Sequence, residues 1–266
     1  MLHPENIAEI IREIAETAIV PRFRQLRAED IREKKPGDFV TTADLEAERL
    51  LTERLPSLVP GSVVLGEEGA AKDPARLALL GGGAPVWVVD PVDGTVNFAK
   101  GAPGFGVILA LVRNAEVCAG WIYDPLGGSM VLAERGGGAW SDGKRVAVDA
   151  GAEVARMVGS AYGRTMAGPR AAKVLQESGR VAAVRNLGSS ALEYNAVALG
   201  RTHFSLHSRS LPWDHAAGML IVAEAGGVAG FFDGTPYDPR IIDRPVLAAA
   251  NRAGWDALSA TIGPLA

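Results

Sequence analysis

A single cysteine, Cys118, stands in 266 residues, which excludes an intrachain disulfide and a thiolate metal centre. Histidine is nearly as scarce, with only His3, His203, His207 and His215. His203 and His207 lie four apart, but no Glu follows His203 and no third ligand is suggested, so a zinc site is not expected. The longest uncharged run, Leu77–Val89, contains three glycines and a proline and is too short to cross a bilayer. Glu5, Glu9 and Arg12 interrupt the start of the chain too early for a signal peptide, so a cytoplasmic location is expected. Basic charge is not in excess either. Twenty-seven Lys and Arg against 31 Asp and Glu give a net charge of −4, without the positive field that nucleic acid requires. Apolar residues are plentiful at 48%, enough for a large core and too many for a disordered chain. There is no repeat, low-complexity tract or Pro/Ser-rich linker.

The hydrophobic pattern divides the chain. Within the first thirty residues Ile7, Ile10, Ile11, Ile14 and Ala18 share one helical face, with Glu9, Arg12, Glu13 and Glu16 on the other. A second helix is expected from Thr42 to Leu55, capped by Thr41, Thr42 or Asp44. Val63-Val64-Leu65 reads as a strand stopped by Gly66, and Val86–Val89 as a central strand stopping at Asp90-Pro91. A meander follows: Gly106–Val112 with Val117–Tyr123, then Met130–Glu134 and Gly137–Trp140, with a turn at Asp142-Gly143. Beyond residue 150, strands at Met157–Ser160 and Val181–Arg185 alternate with helices at Pro169–Ser178 and Ser190–Leu199. The last third carries a helix at His215–Ala225, a turn region at Phe231–Tyr237, a strand at Val246–Ala249 and a helix near Trp255–Thr261. An α+β half (1–150) joined to an α/β half (151–266) in a single unit is the expected organisation.

Two motif matches fail on their own chemistry. Gly138–Lys144 has P-loop spacing, but Arg145 stands where a Ser or Thr must hold magnesium, and an Asp-Gly hairpin explains the stretch. Asp90-Pro91-Val92-Asp93-Gly94-Thr95 approaches the Asp-x-Asp-Gly-Thr of haloacid-dehalogenase-type phosphatases, with the second Asp one residue too far along. What remains is a set of carboxylates, Glu67, Glu68, Asp90, Asp93 and Asp214, each at the end of an apolar element. Taken singly, Asp214 reads equally as a helix N-cap and Asp93 as an Asp-Gly turn former. If several converge, each pair at ~4 Å repels by roughly 4 kcal/mol at an effective dielectric of about 20. Cations or protons must then compensate, and an all-oxygen set favours magnesium or manganese. Gly94 allows close backbone approach to a ligand, and the Gly94 and Thr95 N–H groups at a helix start suit phosphate.

These motifs together resemble the inositol monophosphatase family. The resemblance rests on Gly66-Glu67-Glu68, on Asp90-Pro91-Val92-Asp93-Gly94-Thr95-Val96-Asn97-Phe98, and on Trp213-Asp214-His215-Ala216-Ala217-Gly218. Lys35–Asp44 upstream, and Glu224-Ala225-Gly226-Gly227 and Asp233–Tyr237 downstream, match in order and spacing. The resemblance implies a layered αβαβα sandwich of the inositol monophosphatase / fructose-1,6-bisphosphatase type, usually a homodimer, with two or three Mg²⁺ ions or Mn²⁺ as substitute. It implies that Glu67, Asp90 and the carbonyl of Val92 hold one ion, and Asp90, Asp93 and Asp214 another. Thr95, bonded to Asp44, would help Glu67 position the attacking water. Asp93, Gly94, Thr95, Ser189, Ser190, His207 and Asp214 would face substrate. Ser190 could bond a substrate hydroxyl or cap the helix that follows.

The chain departs from the family at one point. A glutamate that binds sugar or inositol hydroxyls is common seven residues before the Asp of Trp-Asp, and His207 occupies that place here. A neutral imidazole still accepts one hydroxyl hydrogen bond, and Arg209 nearby would favour a further anionic group. Alternatively, His207 is a surface residue of a shifted loop. The expected activity is magnesium-dependent hydrolysis of a small polyol or sugar phosphomonoester, with inositol 1-phosphate leading and lithium inhibiting. Histidinol phosphate, fructose bisphosphate and 3′-phosphoadenosine 5′-phosphate are the alternatives. A partner-binding protein with a vestigial metal site is the reading from another class.

Overall fold

The apolar stripe of the N-terminus closes onto the core as the periodicity predicts. Ile7, Ile11, Ile14 and Ala18 are all buried. They lie on α1 (Pro4–Ile14) and on the π-helical turn, Ala15–Ile19, that continues it. The computed structural model describes residues 3–162 and 167–262. A hairpin that the periodicity does not predict, β1 (Ile31–Lys35) and β2 (Asp38–Thr41), turns at Pro36-Gly37 and leads into α2 (Thr42–Arg54). Thr41 caps α2 by accepting the Ala43 N–H, and Asp44 closes a capping box by accepting the Thr41 N–H at 2.9 Å.

Next come β3 (Val63–Gly66), the short α3 (Glu67–Lys72), β4 (Val86–Asp93) and the short α4 (Thr95–Ala99). The meander β5 (Gly106–Arg113), β6 (Glu116–Asp124), β7 (Ser129–Glu134), β8 (Gly138–Ser141) and β9 (Lys144–Val146) completes a seven-stranded sheet in the order β3 to β9. The P-loop lookalike is the β8–β9 hairpin. Strand β4 does not stop at Asp90-Pro91 as expected. It runs on to Asp93 through a bulge, pairing Asp90 with Ile108 and Asp93 with Gly106. The bulge accommodates a proline inside a central strand and re-aims the side chains that follow it.

The second half comprises β10 (Val158–Tyr162), α5 (Ala167–Ser178), β11 (Ala183–Val184), α6 (Ser190–Ala198), β12 (Phe204–His207), α7 (Pro212–Glu224), β13 (Val228–Phe231), β14 (Val246–Ala249) and α8 (Arg252–Ile262). Its five-stranded sheet has the order β11-β10-β12-β14-β13. Strands β12 and β13 are not predicted from the sequence pattern; residues 228–231 are extended and the turn begins only after them.

Alternation along the strands separates the layers. Trp87, Val89, Leu109, Leu111 and Trp121 pack against α1 and α2. Val86, Val88, Ile108, Ala110 and Ile122 pack against α6 and α7. Helices α5 and α8 cover the far face of the second sheet through Leu175, Trp255 and Leu258. The result is a layered αβαβα sandwich. Helix α7 lies in the middle layer, and ten of its thirteen residues are buried, so it shows no polar stripe. A Cβ on Gly218 would lie 2.2 Å from the Tyr194 ring, so the close approach of α6 and α7 requires glycine there. Among the described residues no helix is long and apolar enough to cross a membrane.

Candidate metal and phosphate site

Strand β4 delivers Asp90 and Asp93 on either side of its bulge, and the first turn of α7 delivers Asp214 from the other half of the chain. One carboxylate oxygen from each lies within 4.8 Å of the others. Asp214 is therefore not the N-cap of α7; Leu211 occupies that position, and Asp214 is the third residue of the helix, where the dipole favours negative charge. Asp93 is not a turn former either. Its carboxylate accepts the Ser189 and Ser190 hydroxyls and the Ala191 N–H, the last at 2.8 Å. Those bonds hold its pKa down, but burial raises it by more. Asp90 accepts the Val92 N–H at 3.0 Å and is 2% exposed. Burial, then the charges of Glu67, Asp93 and Asp214, push its pKa well above the usual carboxylate range.

Beside this trio stands a second pair. The Thr95 hydroxyl lies 3.2 Å from Asp44 Oδ1 and 2.9 Å from the Val92 carbonyl oxygen. Asp44 is fully buried, and desolvation lifts its pKa to about 7 against the hydrogen bonds from Thr41 and Thr95. Gly94 sits at φ +86°, and a Cβ there would lie 2.5 Å from the Gly104 carbonyl oxygen, so only glycine fits.

Glu67 opens α3, with Glu68 beside it. Lys34 Nζ bridges the two, 2.9 Å from Glu67 Oε1 and 2.7 Å from Glu68 Oε1. Burial alone would lower the Lys34 pKa, but the two glutamates raise it. Glu68 is itself raised to about 7, first by burial and then by the charge of Glu67. Glu48, on α2, accepts the Glu68 and Gly69 N–H groups at 2.8 Å each and so caps α3 from outside the motif. Sequence reasoning singled out neither Lys34 nor Glu48. The Pro-Gly turn at 36–37 was the available signal for the hairpin that carries Lys34; nothing local marks Glu48 as a cap.

The alcohol-side candidates divide. Ser189, not Ser190, is the N-cap of α6, accepting the Leu192 N–H, and both serine hydroxyls donate to Asp93. His207 is not on a surface loop: it ends β12 and is 3% exposed. Its Nε2 is 2.7 Å from Ser205 Oγ and 3.6 Å from Glu193 Oε2, and its ring stacks on Tyr194 at 5.3 Å. Burial lowers its pKa to about 3, so the imidazole is neutral. His215 is neutral for the same reason, its Nδ1 2.9 Å from the Tyr194 hydroxyl.

Carboxylates that are buried, close together and raised in pKa are the condition under which a hard divalent cation binds. The donor set is all oxygen, which suits such an ion. The profile of the inositol monophosphatase family matches residues 4–263. The chain belongs to the inositol monophosphatase family. It is 36% identical over 204 residues to the fructose-1,6-bisphosphatase/inositol-1-monophosphatase of Thermotoga maritima, covering 76% of this chain and 75% of that one. It is likewise 36% identical over 198 residues to the inositol-1-monophosphatase of Rhizobium meliloti, covering 73% and 72% of the two chains. The solved IMPase of Thermotoga maritima superposes with a TM-score of 0.84 at 28% identity, over 100% of this chain and 98% of that one. As an inositol monophosphatase family protein, the chain is a phosphoric monoester hydrolase. The family is metal-dependent and acts on small phosphorylated substrates.

Proposed function

We propose that this phosphatase hydrolyses the phosphomonoester of a small polyol or sugar, with inositol 1-phosphate as leading substrate and Mg²⁺, in two or three copies, as cofactor. The observation that carries the reading is the convergence of Asp90, Asp93 and Asp214 from two distant segments into one 4.8 Å group. Glu67, Asp90 and the Val92 carbonyl would hold one ion, and Asp90, Asp93 and Asp214 another; Mn²⁺, also a hard ion, would substitute. Divalent cations bound there would neutralise phosphate charge, acidify water and stabilise the leaving oxygen.

The chain's own residues supply the rest. Thr95 is a weak base alone, so its hydroxyl orients water through Asp44, 3.2 Å behind it, while Glu67 accepts a proton. The Gly94 and Thr95 N–H groups take phosphate oxygens. Ser189 and Ser190 serve the alcohol side by holding Asp93 beside it. His207, an uncharged imidazole, gives the alcohol a neutral acceptor where an anionic one is usual. Residues from both halves of the chain are needed, so 1–150 and 151–266 act as one catalytic unit, in a homodimer.

Phosphate release tests this reading. The substrates are inositol 1-phosphate, fructose 1,6-bisphosphate, histidinol phosphate and 3′-phosphoadenosine 5′-phosphate, each with Mg²⁺, Mn²⁺ or chelator. Release that needs the metal, is fastest on inositol 1-phosphate and slows with lithium is the expected outcome. Release undiminished by chelator would overturn the metal assignment, and a faster second substrate would overturn the inositol assignment. Silence across the panel from folded, Mg²⁺-loaded protein would favour the partner-binding reading. Light scattering at twice the chain mass checks the dimer.

A further inference from the structure

The backbone of Leu187 is held on both sides of its Cα by side chains from two helices, α4 and α6. Its N–H donates to Glu193 Oε1 at 3.1 Å, and its carbonyl accepts Asn97 Nδ2 at 3.0 Å. Asn97 Nδ2 also donates to the Gly104 carbonyl at 2.7 Å, tying the strap at 186–190 to the loop before β5. Within the strap, Asn186 Oδ1 accepts the Gly188 N–H at 2.7 Å. Two to four residues beyond Leu187, the Ser189 and Ser190 hydroxyls and the Ala191 N–H all converge on Asp93.

Glu193 is one turn into α6 and 2% exposed. Its second oxygen turns toward the five-stranded sheet, 3.3 Å from the Ser205 hydroxyl, which is bonded to Ser160 at 3.1 Å and to His207 at 2.7 Å. An unbroken path therefore runs from β10 and β12 through Glu193 and the strap to Asp93. Burying a carboxylate is unfavourable unless its lone pairs are taken, and an apolar side chain would fill the same space without that penalty. The contribution of this one lies in the donors it gathers, above all the Leu187 N–H.

We propose that Glu193 is a positioning residue: it fixes the 186–190 strap so that Ser189 and Ser190 hold the Asp93 carboxylate in its cation-binding orientation. The proposal rests on the reading of Asp93 as a metal ligand. It gives the five-stranded sheet, which supplies no carboxylate to the acidic trio, a part in metal affinity. Hydrogen-bond partners behind a ligand commonly set affinity by 10–100-fold, and Glu193 is one link further out.

The test measures Mg²⁺ alone by calorimetry and by the Mg²⁺-dependent rise in melting temperature, with Mg²⁺ activation of inositol 1-phosphate hydrolysis as a third readout. Glu193→Met keeps the volume and removes the acceptor. It should weaken Mg²⁺ binding about tenfold while leaving the rate at saturating Mg²⁺ within about twofold. Glu193→Gln, which keeps an oxygen for the Leu187 N–H, should recover most of that loss. Adding Glu193→Met to Ser189→Ala should weaken binding no further than Ser189→Ala alone, because both act through one strap. If Glu193→Met does not fold, Ser205→Ala, which removes one donor to Glu193, carries the test with a smaller shift of about twofold in the same direction. Unchanged Mg²⁺ affinity in the folded variants, no rescue by Gln, or full additivity with Ser189→Ala would each overturn the proposal. Asp90→Asn separates the two levels. If it abolishes Mg²⁺ binding while the Glu193 variants bind normally, only the positioning role fails; if it leaves Mg²⁺ binding intact, the metal reading fails as well.

Discussion

The acidic cluster at the end of β4 and the polar cluster between α6 and β12 both meet α6, the first through Ser189, Ser190 and Ala191 at its start and the second through Glu193 and Tyr194. In the second, the buried acid has donors: Glu193 takes the Leu187 N–H and the Ser205 hydroxyl, and Tyr194 pairs with His215. His207 and His215 lose their charge to burial, with ring centroids 4.6 Å apart. In the first, burial and then neighbouring charge raise the proton affinity of Asp44, Asp90 and Asp93, and Glu67 is among the charges acting on all three, while the Lys34 ammonium reaches Glu67, Glu68 and, at 3.7 Å, Asp38. Satisfied polar networks rigidify a core, whereas imbalance of charge is retained where a ligand is to complete it. The two clusters thus use buried polarity differently: the polar one draws its partners from the protein itself, and the acidic one leaves charge for a cation to neutralise.

The largest effect that would break this comparison is Asp90→Asn. Losing a ligand should reduce hydrolysis by about 10³-fold, equivalent to about 4 kcal/mol of charge stabilisation. The same substitution should raise the melting temperature of the metal-free protein, since one of several crowded, buried carboxylates is gone. A fall in that temperature would mean the trio is not strained by its charge. Next is His207→Glu, which puts a second carboxylate where Nε2 now lies, 3.6 Å from Glu193 Oε2. We expect a loss of about 3 kcal/mol in urea unfolding, with about half recovered when Glu193→Gln is added. Magnesium would neutralise the acidic cluster directly, whereas this repulsion between two carboxylates outside the ligand set would persist in its presence.

A third effect is pH-dependent. Asp44 and Glu68 are raised on folding to about 7 from ordinary values of 3.8 and 4.5, and Glu193 is likewise raised to about 7. A carboxyl raised on folding contributes stability that is complete below its unfolded pKa and is lost as pH climbs through the folded one. Metal-free protein should therefore lose stability steadily between about pH 4 and pH 7. Saturating Mg²⁺ should flatten the part due to the acidic cluster, leaving the slope from Glu193, which Glu193→Gln removes. Thermal melts across that range, with and without Mg²⁺, decide it. The smallest effect is the control: Leu126→Ser, at an exposed position between β6 and β7, should stay within about 0.5 kcal/mol and leave activity unchanged.

Much of the first half was legible in the sequence because its signals are local. Ile7, Ile11, Ile14 and Ala18 mark a buried helical face by spacing alone, and the β5–β6 hairpin follows from two apolar runs around Asn114-Ala115. The second half was less so. Strand β12 alternates Phe204 and Leu206 with Ser205 and His207, which suggests one solvent-facing side, yet all four are buried between layers. Pro91 reads as a strand end, but β4 carries it through a bulge. Helix α3 is too short to show a period, and Glu48 caps it from twenty residues upstream.

The sequence by itself determined the chemistry on offer: an ordered set of carboxylates at the ends of apolar elements, Gly94 where backbone must approach closely, and Thr95 beside them. Those properties depend on residue type and near neighbours. Only the tertiary structure decided which groups share a site. The Ser189 and Ser190 hydroxyls reach Asp93 across 96 and 97 residues of chain, Lys34 meets Glu67 across 33, and His207 is closed into the layer that holds Glu193. Such pairings have no local signature. They arise because stacked layers bury polar groups together, and a buried polar group must find its partner among whatever the packing brings within reach.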